Sequence, residues 1–442
     1  MFWGLIAAYL VIIGLFAYWV FRQRGIDDFL IAGRQNSGLV MGAGIVIGWV
    51  DVMFFTLYAT MAYLYGWWTL LMLIGTTAAA FVILSYLSAR LKALSTQHNM
   101  YTVADWFDMR FGSASGHVVA LISSLYAFGW YLALVISAGL LLHQIFHISY
   151  AAVVVTTSVV TLVMLLKGGY GALTRFDILQ IALLSLLLTV VFCIIGPAVT
   201  AQAAQYDFTS AALSNFDRVN LIIMFFASTL VVPDVWQRLH AVRDSGAARQ
   251  GFLLAIPLTA IMFTAAAWFG FYAKENGLAE TDANLAFASA LEALGPQVQA
   301  LMLVAMIAAT LSTMNVSCYA GASAVACNMG PKTTKEQMKR KMQLAFVGMI
   351  VLAAVIALVT QDVLTLALST LTLTVAIAPA FVGGILSSRK VGDWAVASVM
   401  LLSVMSLVGL IAIGQNTGIY SLIPFMVSSV GTLALFFVSP RV

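Results

Sequence analysis

The chain has 442 residues, of which 62% are hydrophobic and 9% are charged, and its mean hydropathy is +1.00. Soluble domains carry about 25% charged residues, so this composition excludes an ordinary soluble protein and indicates a polytopic membrane protein. The net charge of +4 gives no indication of a nucleic-acid partner. In a membrane protein, the distribution of basic residues over the loops is informative and their sum is not.

Apolar runs of about 17 to 25 residues, the length that crosses a bilayer as a helix, occur thirteen times along the chain. The first run lacks a preceding basic region and a cleavage site, so we expect it to remain as a helix rather than to be removed. We predict spans at residues 3–20, 38–64, 68–89, 117–143, 150–166, 175–198, 218–236, 251–273, 297–325, 342–360, 363–386, 393–413 and 418–438.

The basic residues support this count. Arg22 and Arg24 follow the first span, which predicts an outside N-terminus and a cytoplasmic C-terminus. With that orientation, 19 of the 21 lysines and arginines fall inside, and the exceptions are Arg218 and Lys274. We therefore expect one multi-pass domain of the plasma (inner) membrane. Its partners would be lipid and a small solute, with no obligate protein partner.

Two spans contain features that interrupt helices. The second has Gly44 and Gly48 ahead of Asp51, and the seventh ends at Pro233. Interrupted helices at corresponding positions of two halves indicate a transporter binding site. Since these spans are five apart, the pattern predicts two inverted five-helix repeats.

Asp51 is an ionisable residue inside an apolar run, VIGWVDVMFF. A charged aspartate facing lipid costs at least about 2.5 kcal/mol, and such residues are usually functional. Two interpretations remain: a charged group stabilised by a nearby cation and free amides, or a protonated acid bonded to a carbonyl.

The ninth span carries Met306, Thr310, Thr313 and Ser317 on one stripe at 100° per residue. These hydroxyls could coordinate a hard cation together with carbonyls freed by a helix break. Alternatively, they bond back to carbonyls of their own helix.

Five segments resemble, in order and spacing, the sodium:solute symporter family: DDFLIAGRQNSG, MYTVADWFDMRFG, GGYGALTRFDILQ, VVPDVWQRLHAVRD and AMIAATLSTMN. The resemblance covers residues 27–326. It implies an all-α LeuT-type fold of thirteen helices. The two inverted repeats would be 38–198 and 218–386, with extra segments at 1–37 and 393–442.

The resemblance also implies a sodium site between spans two and nine. Its ligands would be the carbonyls of Trp49, Val52 and Met306 and the side chains at positions 309 and 310. The family usually has two adjacent hydroxyl residues there, whereas this chain has Ala309 followed by Thr310. At most four of five oxygens remain, so we expect weakened sodium binding or altered coupling.

Two aspartates match family positions. Asp51 aligns with an acid beside the sodium carbonyls, which implies a supporting role there. Asp177 aligns with an acid that some members use for a second cation, but that site needs hydroxyls where this chain has Met306 and Ala309. We therefore expect Asp177 to pair with Arg175 or with a neighbouring helix end.

A substrate cavity is expected between spans two, three, seven and eleven. The candidate lining residues are Phe55, Thr56, Tyr65, Gly66, Ser228, Thr229 and Asn315. This lining has few polar groups and no basic side chain, which favours an amino acid or a monocarboxylate over a sugar.

The resulting prediction is a sodium-coupled symporter. A proton-coupled or uncoupled transporter, or a transporter-derived sensor module, remains an alternative. An enzyme is disfavoured because all five histidines lie in loops or at span ends. A channel is disfavoured because no ring of charges or filter motif is present.

Overall fold

A computed structural model describes residues 25–195, 213–330, 333–415 and 418–440, so the predicted first span lies outside the described residues. The regular structure in this part of the chain is helical. The helices are α1 (Ile26–Ile31), α2 (Gly38–Ile47), α3 (Val52–Tyr65), α4 (Trp67–Gln97), α5 (Val103–Arg110), α6 (Ser113–Phe146), α7 (Tyr150–Ile195), α8 (Asn215–Val231), α9 (Pro233–Ala241), α10 (Ser245–Glu275), α11 (Ala286–Ala293), α12 (Pro296–Asn328), α13 (Lys335–Ala357), α14 (Val363–Thr372), α15 (Ala378–Leu386), α16 (Asp393–Ala412) and α17 (Ile423–Val438).

Among the described residues, ten segments are long and apolar enough to cross a bilayer as helices. Helices α2 and α3 pass the same test together and are bent by 65° at their junction, which gives eleven spans in the described part of the chain if the pair counts as one broken span. The prediction of an all-helical multi-pass membrane protein is confirmed. The total of thirteen spans stays a prediction.

One boundary differs from the prediction. Spans five and six were expected to be separated by a loop at 167–174, but α7 continues through this region and bends at Gly169, where φ is 64° and ψ is −170°. Glycine adopts this conformation at little cost because it has no Cβ. A Cβ there would overlap Phe29 of α1, so the residue also permits close packing.

The seventh span is also interrupted, as expected. Helix α8 ends at Val231, Val232 is extended (φ −58°, ψ 130°), and Pro233 begins α9. Proline lacks an N–H and fits the first turn of a new helix. Both predicted helix breaks are therefore present.

Helix α12 packs against α6 and α7 and also contacts both halves of the broken span, α2 and α3. Helix α10 covers α2, α3 and α4 from the other side. The break between α2 and α3 is consequently enclosed by protein: Ile47 and Asp51 are fully buried, and Val50 is 1% exposed. Non-helical backbone at membrane depth is tolerated in such protein-enclosed positions.

Candidate functional site

The site is built around the break between α2 and α3. Helix α2 ends at Ile47, and Val50 N–H still bonds to the Val46 carbonyl at 3.0 Å. Asp51 is extended (φ −154°, ψ −172°) and caps α3 by accepting a 2.7 Å hydrogen bond from the Phe54 N–H. Within the described chain, no donor is bonded to the Trp49 carbonyl. The break therefore leaves a backbone oxygen open.

Hydroxyls of α12 reach both sides of this break. Thr310 Oγ1 accepts a 3.1 Å hydrogen bond from the Val52 N–H. Thr313 Oγ1 lies 3.2 Å from the Ile47 carbonyl and equally far from the Ala309 carbonyl in its own helix. The stripe predicted on the ninth span thus faces the break. Thr313 fits both interpretations of the stripe, because its hydroxyl contacts the Ile47 carbonyl at the break and the Ala309 carbonyl of its own helix.

The five predicted sodium-site residues lie on the two spans that cross here, and the structure shows a direct contact for one pair of them. Thr310 contacts Val52 directly, and Met306 and Ala309 are 0% and 1% exposed on the same helix. Trp49, with its open carbonyl, lies within the break itself. Ala309 contributes no side-chain oxygen, so the available donors are one hydroxyl and backbone carbonyls. Their role as ligands stays a prediction.

Asp51 is the acidic group nearest this set in sequence, and its side chain is fully buried. Its Oδ1 atom caps α3, whereas Oδ2 has no hydrogen-bond partner of good geometry. The Thr313 side chain lies close enough to interact with the carboxylate. A buried carboxylate oxygen without a partner is costly, so this position suits a proton or a cation.

Asp177 does not pair with Arg175, and that alternative was wrong. Arg175 bonds to Asp28 at 3.0 Å. Asp177 is fully buried, where its two oxygens accept bonds from Arg238 Nη1 at 2.7 Å and from Ser312 Oγ at 2.9 Å. The physical reason is helical geometry: residues two apart on α7 point away from each other.

Arg238 is a residue that the sequence analysis misplaced. It was counted among the inside-loop residues, and the predicted substrate lining contained no basic side chain. Instead, it is 1% exposed and lies against α2, where a Cβ at Gly48 would be 2.7 Å from its Nη2 atom. A Cβ at Gly44 would overlap the guanidinium. The glycines of α2 thus make room for a buried cation as well as for a helix break.

A second buried acid links the two breaks. Asp234, in the first turn of α9, accepts a 3.2 Å hydrogen bond from the Trp49 indole N–H. It also interacts electrostatically with Arg238. Asp234 and Arg238, which follow the second break in the chain, therefore pack against residues of the first break.

A small central cavity of about 40 Å³ lies beside this network. It contains two of the predicted lining residues, Ser228 and Thr229. The other described residues of the lining are Trp49, Phe54, Tyr58, Thr77, Tyr126, Trp130, Phe225, Phe263 and Leu371. A cavity of this size holds only a few water molecules, so these side chains must separate before a solute binds.

The remaining predicted lining residues lie elsewhere. Phe55 packs against Phe269 and Phe287, because it projects from α3 away from Phe54. Gly66 forms the α3–α4 junction at φ 65°, and Asn315 bonds back to the Leu311 carbonyl at 2.7 Å. Two others line larger cavities: Thr56 one of about 280 Å³, and Tyr65 one of about 420 Å³.

The aromatic lining was largely missed. Phe54 stacks on Phe263 with ring centroids 5.2 Å apart, and Tyr126 stacks on Trp130 at 6.1 Å. The spacing of Tyr126 and Trp130, four residues apart on α6, was a usable signal. It was indistinguishable from ordinary packing without knowing which face of α6 meets α3.

One end of the broken spans is closed by polar contacts. Arg34 donates to the His240 carbonyl at 3.0 Å and to Ser95 Oγ at 3.3 Å. Lys92 donates to the same carbonyl at 3.0 Å, and the His240 Nδ1 atom lies 2.7 Å from Ser95 Oγ. Burial lowers the pKa of Arg34 from its usual value. These contacts join α4 and α9 to the segment before α2.

Comparison with known proteins agrees with this arrangement. The sequence profile of the sodium:solute symporter family matches residues 29–405. The uncharacterized symporter YwcA of Bacillus subtilis is 24% identical over 77% of this chain and 71% of its own length. The osmoregulated proline transporter OpuE of the same species is 24% identical over 98% of this chain and 94% of its own.

A sodium/proline symporter of Haemophilus influenzae is 27% identical over 48% of this chain and 43% of its own length. Among solved structures, a substrate-bound, outward-open sodium-coupled sialic acid symporter superposes with a TM-score of 0.83. It is 18% identical, with 100% of this chain and 98% of that chain covered. That likeness shows the fold. The extent of the profile match establishes that this chain belongs to the sodium:solute symporter family.

Proposed function

We propose that this protein is a sodium-coupled symporter that moves a small organic solute by alternating access. The observation that carries the proposal is the helix break beside Thr310: an open carbonyl, a hydroxyl and a buried carboxylate meet at one crossing of two spans. Membership of the family supports the same assignment.

The donor set fits a sodium ion. Sodium is a hard cation and takes oxygen ligands, which in membrane transporters come from unwound backbone and neighbouring hydroxyls. The Trp49 carbonyl and the Thr310 hydroxyl would supply such oxygens, together with the carbonyls of Val52 and Met306. Asp51 lies next to them in sequence, with one oxygen unpartnered. A bound cation would offset the desolvation of that carboxylate.

Sodium binding would also be coupled to the conformational change of the transporter. Its ligands belong to the broken span and to α12, so binding favours the conformation in which these elements are in contact. A ligand shifts a conformational equilibrium only through its differential affinity for the two states. Breaking the α12 contact on the way to the other state would release both the ion and the solute.

We infer that the two ends of the membrane domain differ in how accessible they are to solute. The end near Arg34 and His240 is sealed by hydrogen bonds, and we place it on the cytoplasmic side, as the basic loops indicate. A cavity of about 420 Å³ lies between other parts of the spans. We infer that solute enters from that outer side. The two broken spans, five apart, support the proposed inverted repeats.

The proposed solute is an amino acid or a monocarboxylate. Rings and aliphatic groups form most of the central cavity, and its hydroxyls are those of Ser228, Thr229 and Thr77 with the tyrosines. Such a lining suits an apolar body with one charged end. Two curated relatives are named as proline carriers, which supports the amino-acid branch of the proposal.

Proton coupling is the second candidate, and the unpartnered Oδ2 of Asp51 favours it. A proton would satisfy that oxygen as a cation would. The missing hydroxyl at Ala309 also keeps an uncoupled carrier or a sensor module as alternatives.

Reconstitution into liposomes separates these functions. We expect uptake of proline or a related amino acid or monocarboxylate from a solute panel to require an inward sodium gradient, and not a potassium or proton gradient. Uptake driven equally well by a proton gradient in potassium would replace the proposal with proton coupling. Equilibration without any ion gradient would indicate an uncoupled carrier, and saturable solute binding without uptake would indicate a sensor.

A further inference from the structure

A cavity of about 280 Å³ lies apart from the sodium-site residues and from the central cavity. Its walls come from α3, α6, the start of α14 and the 3₁₀ turn Ala283–Leu285 that precedes α11. Its lining combines two carboxylates with neutral polar side chains and aliphatic ones. The polar residues are Asp282, Asp362, Thr56, Thr60, Ser137, Gln144, Asn284 and Gln361, and four leucines form most of the apolar part. No lysine, arginine or histidine is among its described lining residues. The charged groups of the described lining are therefore two carboxylates, set among neutral polar and aliphatic side chains.

Each of the two acids has one oxygen engaged by its own backbone. Asp282 Oδ1 accepts from the Asn284 N–H and side-chain amide, both at 2.9 Å. Asp362 Oδ1 accepts from the Thr365 N–H at 3.1 Å. In the described part of the chain, neither Oδ2 atom is bonded to a donor. These caps fix the carboxylates in place while leaving an acceptor on each.

A separate observation points to a ligand. Ser137 is 5% exposed and lines this cavity, yet its Oγ atom has no hydrogen-bond partner among the described residues. A buried hydroxyl without a partner is unfavourable. It becomes satisfied if a molecule in the cavity donates or accepts a hydrogen bond there.

The residues that line the cavity favour one class of ligand. No cluster of three or more metal-ligating side chains is present among the described residues, which argues against a dedicated metal site. The volume is close to the lower end for small organic ligands, about 300 Å³. An ammonium group offers three donors and a positive charge, and an aliphatic body would contact the leucines.

We propose that this cavity binds a small aliphatic ammonium compound, held by Asp282, Asp362 and the Ser137 hydroxyl. The binding site lies beyond the sodium-coupled transport proposed above and does not depend on it. Binding is therefore expected to persist in a Thr310→Ala variant, whatever happens to sodium-driven uptake.

The first test is isothermal titration of the purified full chain with butylammonium, and with butanol and butyrate as neutral and anionic isosteres. We expect butylammonium to bind at least tenfold more tightly than either isostere. No measurable butylammonium binding, or equally tight butanol binding, overturns the proposal. Sodium and potassium at equal ionic strength should weaken binding equally, by screening alone; selective displacement by sodium would identify an ion site instead.

The second test uses variants that preserve the fold. Asparagine caps helices as well as aspartate does, so Asp282→Asn with Asp362→Asn removes charge and keeps the caps. Because an exposed ion pair contributes modestly, we expect roughly two- to fivefold weaker butylammonium binding for each substitution and about tenfold for both. Glu280→Gln, an exposed change in the same loop but outside the cavity, should have no effect.

Ser137→Ala should weaken binding roughly two- to fivefold without lowering the unfolding temperature of the free protein. Ser123 is the matched control, because its hydroxyl is also buried and unpartnered on α6 but lies outside the cavity. Ser123→Ala should leave butylammonium binding unchanged. Equal affinities for the wild type and the Asp282→Asn, Asp362→Asn double variant would contradict the inference.

Discussion

The two broken spans are interrupted by different chemistry. The break at Gly48 to Asp51 has an acid cap, an open carbonyl and a buried oxygen without a partner. The break at Val232 is made by a proline, and the two charged side chains that follow it each have a partner: Asp234 accepts from Trp49, and Arg238 Nη1 donates to Asp177. The Nε and Nη2 atoms of Arg238 are buried without a partner among the described residues.

The two breaks differ in charge pairing: among the described residues the Asp51 carboxylate forms no ion pair, whereas Arg238 and Asp177 neutralise each other. An unsatisfied oxygen in a buried position costs free energy unless a ligand or proton completes it. A buried ion pair instead becomes costly when one partner is removed. We therefore expect substitutions at the first break to change ion dependence, and substitutions around the second to change stability.

The largest expected effect is at Asp177. Asp177→Ala leaves the buried Arg238 guanidinium uncompensated and should destabilise the protein by about 3–5 kcal/mol. The unfolding temperature of the purified protein measures this change. Asp28→Ala is the control, since its pair with Arg175 is partly exposed (15% and 24%) and should cost about 1 kcal/mol or less. Equal losses of stability in Asp177→Ala and Asp28→Ala would contradict the distinction between the buried and the partly exposed ion pair.

The second-largest effect is expected for Thr310→Ala. Removing a hydroxyl that contacts a charged group typically costs about 1.5–3 kcal/mol, so we expect the sodium concentration for half-maximal uptake to rise tenfold or more. Thr264 is a matched control, because it is exposed and bonds only to its own helix at 2.8 Å. The site assignment is wrong if Thr310→Ala and Thr264→Ala have the same sodium dependence.

Asp51→Asn separates the two proposed roles of Asp51, which are to cap helix α3 and to support the sodium site. Asparagine keeps the cap on α3, so the unfolding temperature should change little. Loss of the negative charge should raise the sodium requirement about three- to tenfold, because an adjacent carboxylate favours a bound cation. An unchanged sodium concentration dependence would remove Asp51 from the ion site.

Ala309→Ser gives the smallest expected effect, with the opposite sign. It adds a hydroxyl beside Thr310, where the family resemblance implies one, and should lower the sodium requirement about fivefold. Ala324→Ser on the same helix is the control, being equally buried at 1% but fifteen residues along the chain. A higher sodium requirement in Ala309→Ser would show that this position lacks room for a fifth oxygen.

The sequence was sufficient for most of the described helices and for the first break. Apolar runs, the glycines before Asp51 and the hydroxyl stripe on α12 are local patterns. The proline at 233 identified the second break for the same reason. These features follow from chain geometry alone. The pairing of spans two and nine was implied by the family resemblance, and the structure brings Thr310 to Val52.

Side-chain partners across helices could not be obtained in this way. Arg238 follows an apolar run and resembles a loop residue, but the short helix α9 turns it into the protein toward Asp177. The lining of the central cavity also depends on the rotation of α3 and α6 about their axes, so Phe54 and Tyr58 line it while Phe55 faces away. Such rotations depend on packing over the whole domain.

The central claim is that an ion bridges the open backbone near Trp49 and the Thr310 hydroxyl. Equilibrium binding of radioactive sodium to the purified wild type and Thr310→Ala proteins, in excess potassium, tests it most directly. The account predicts saturable sodium binding in the wild type and a tenfold or greater weakening in the variant. Identical binding curves, or no saturable binding in the wild type, would contradict it.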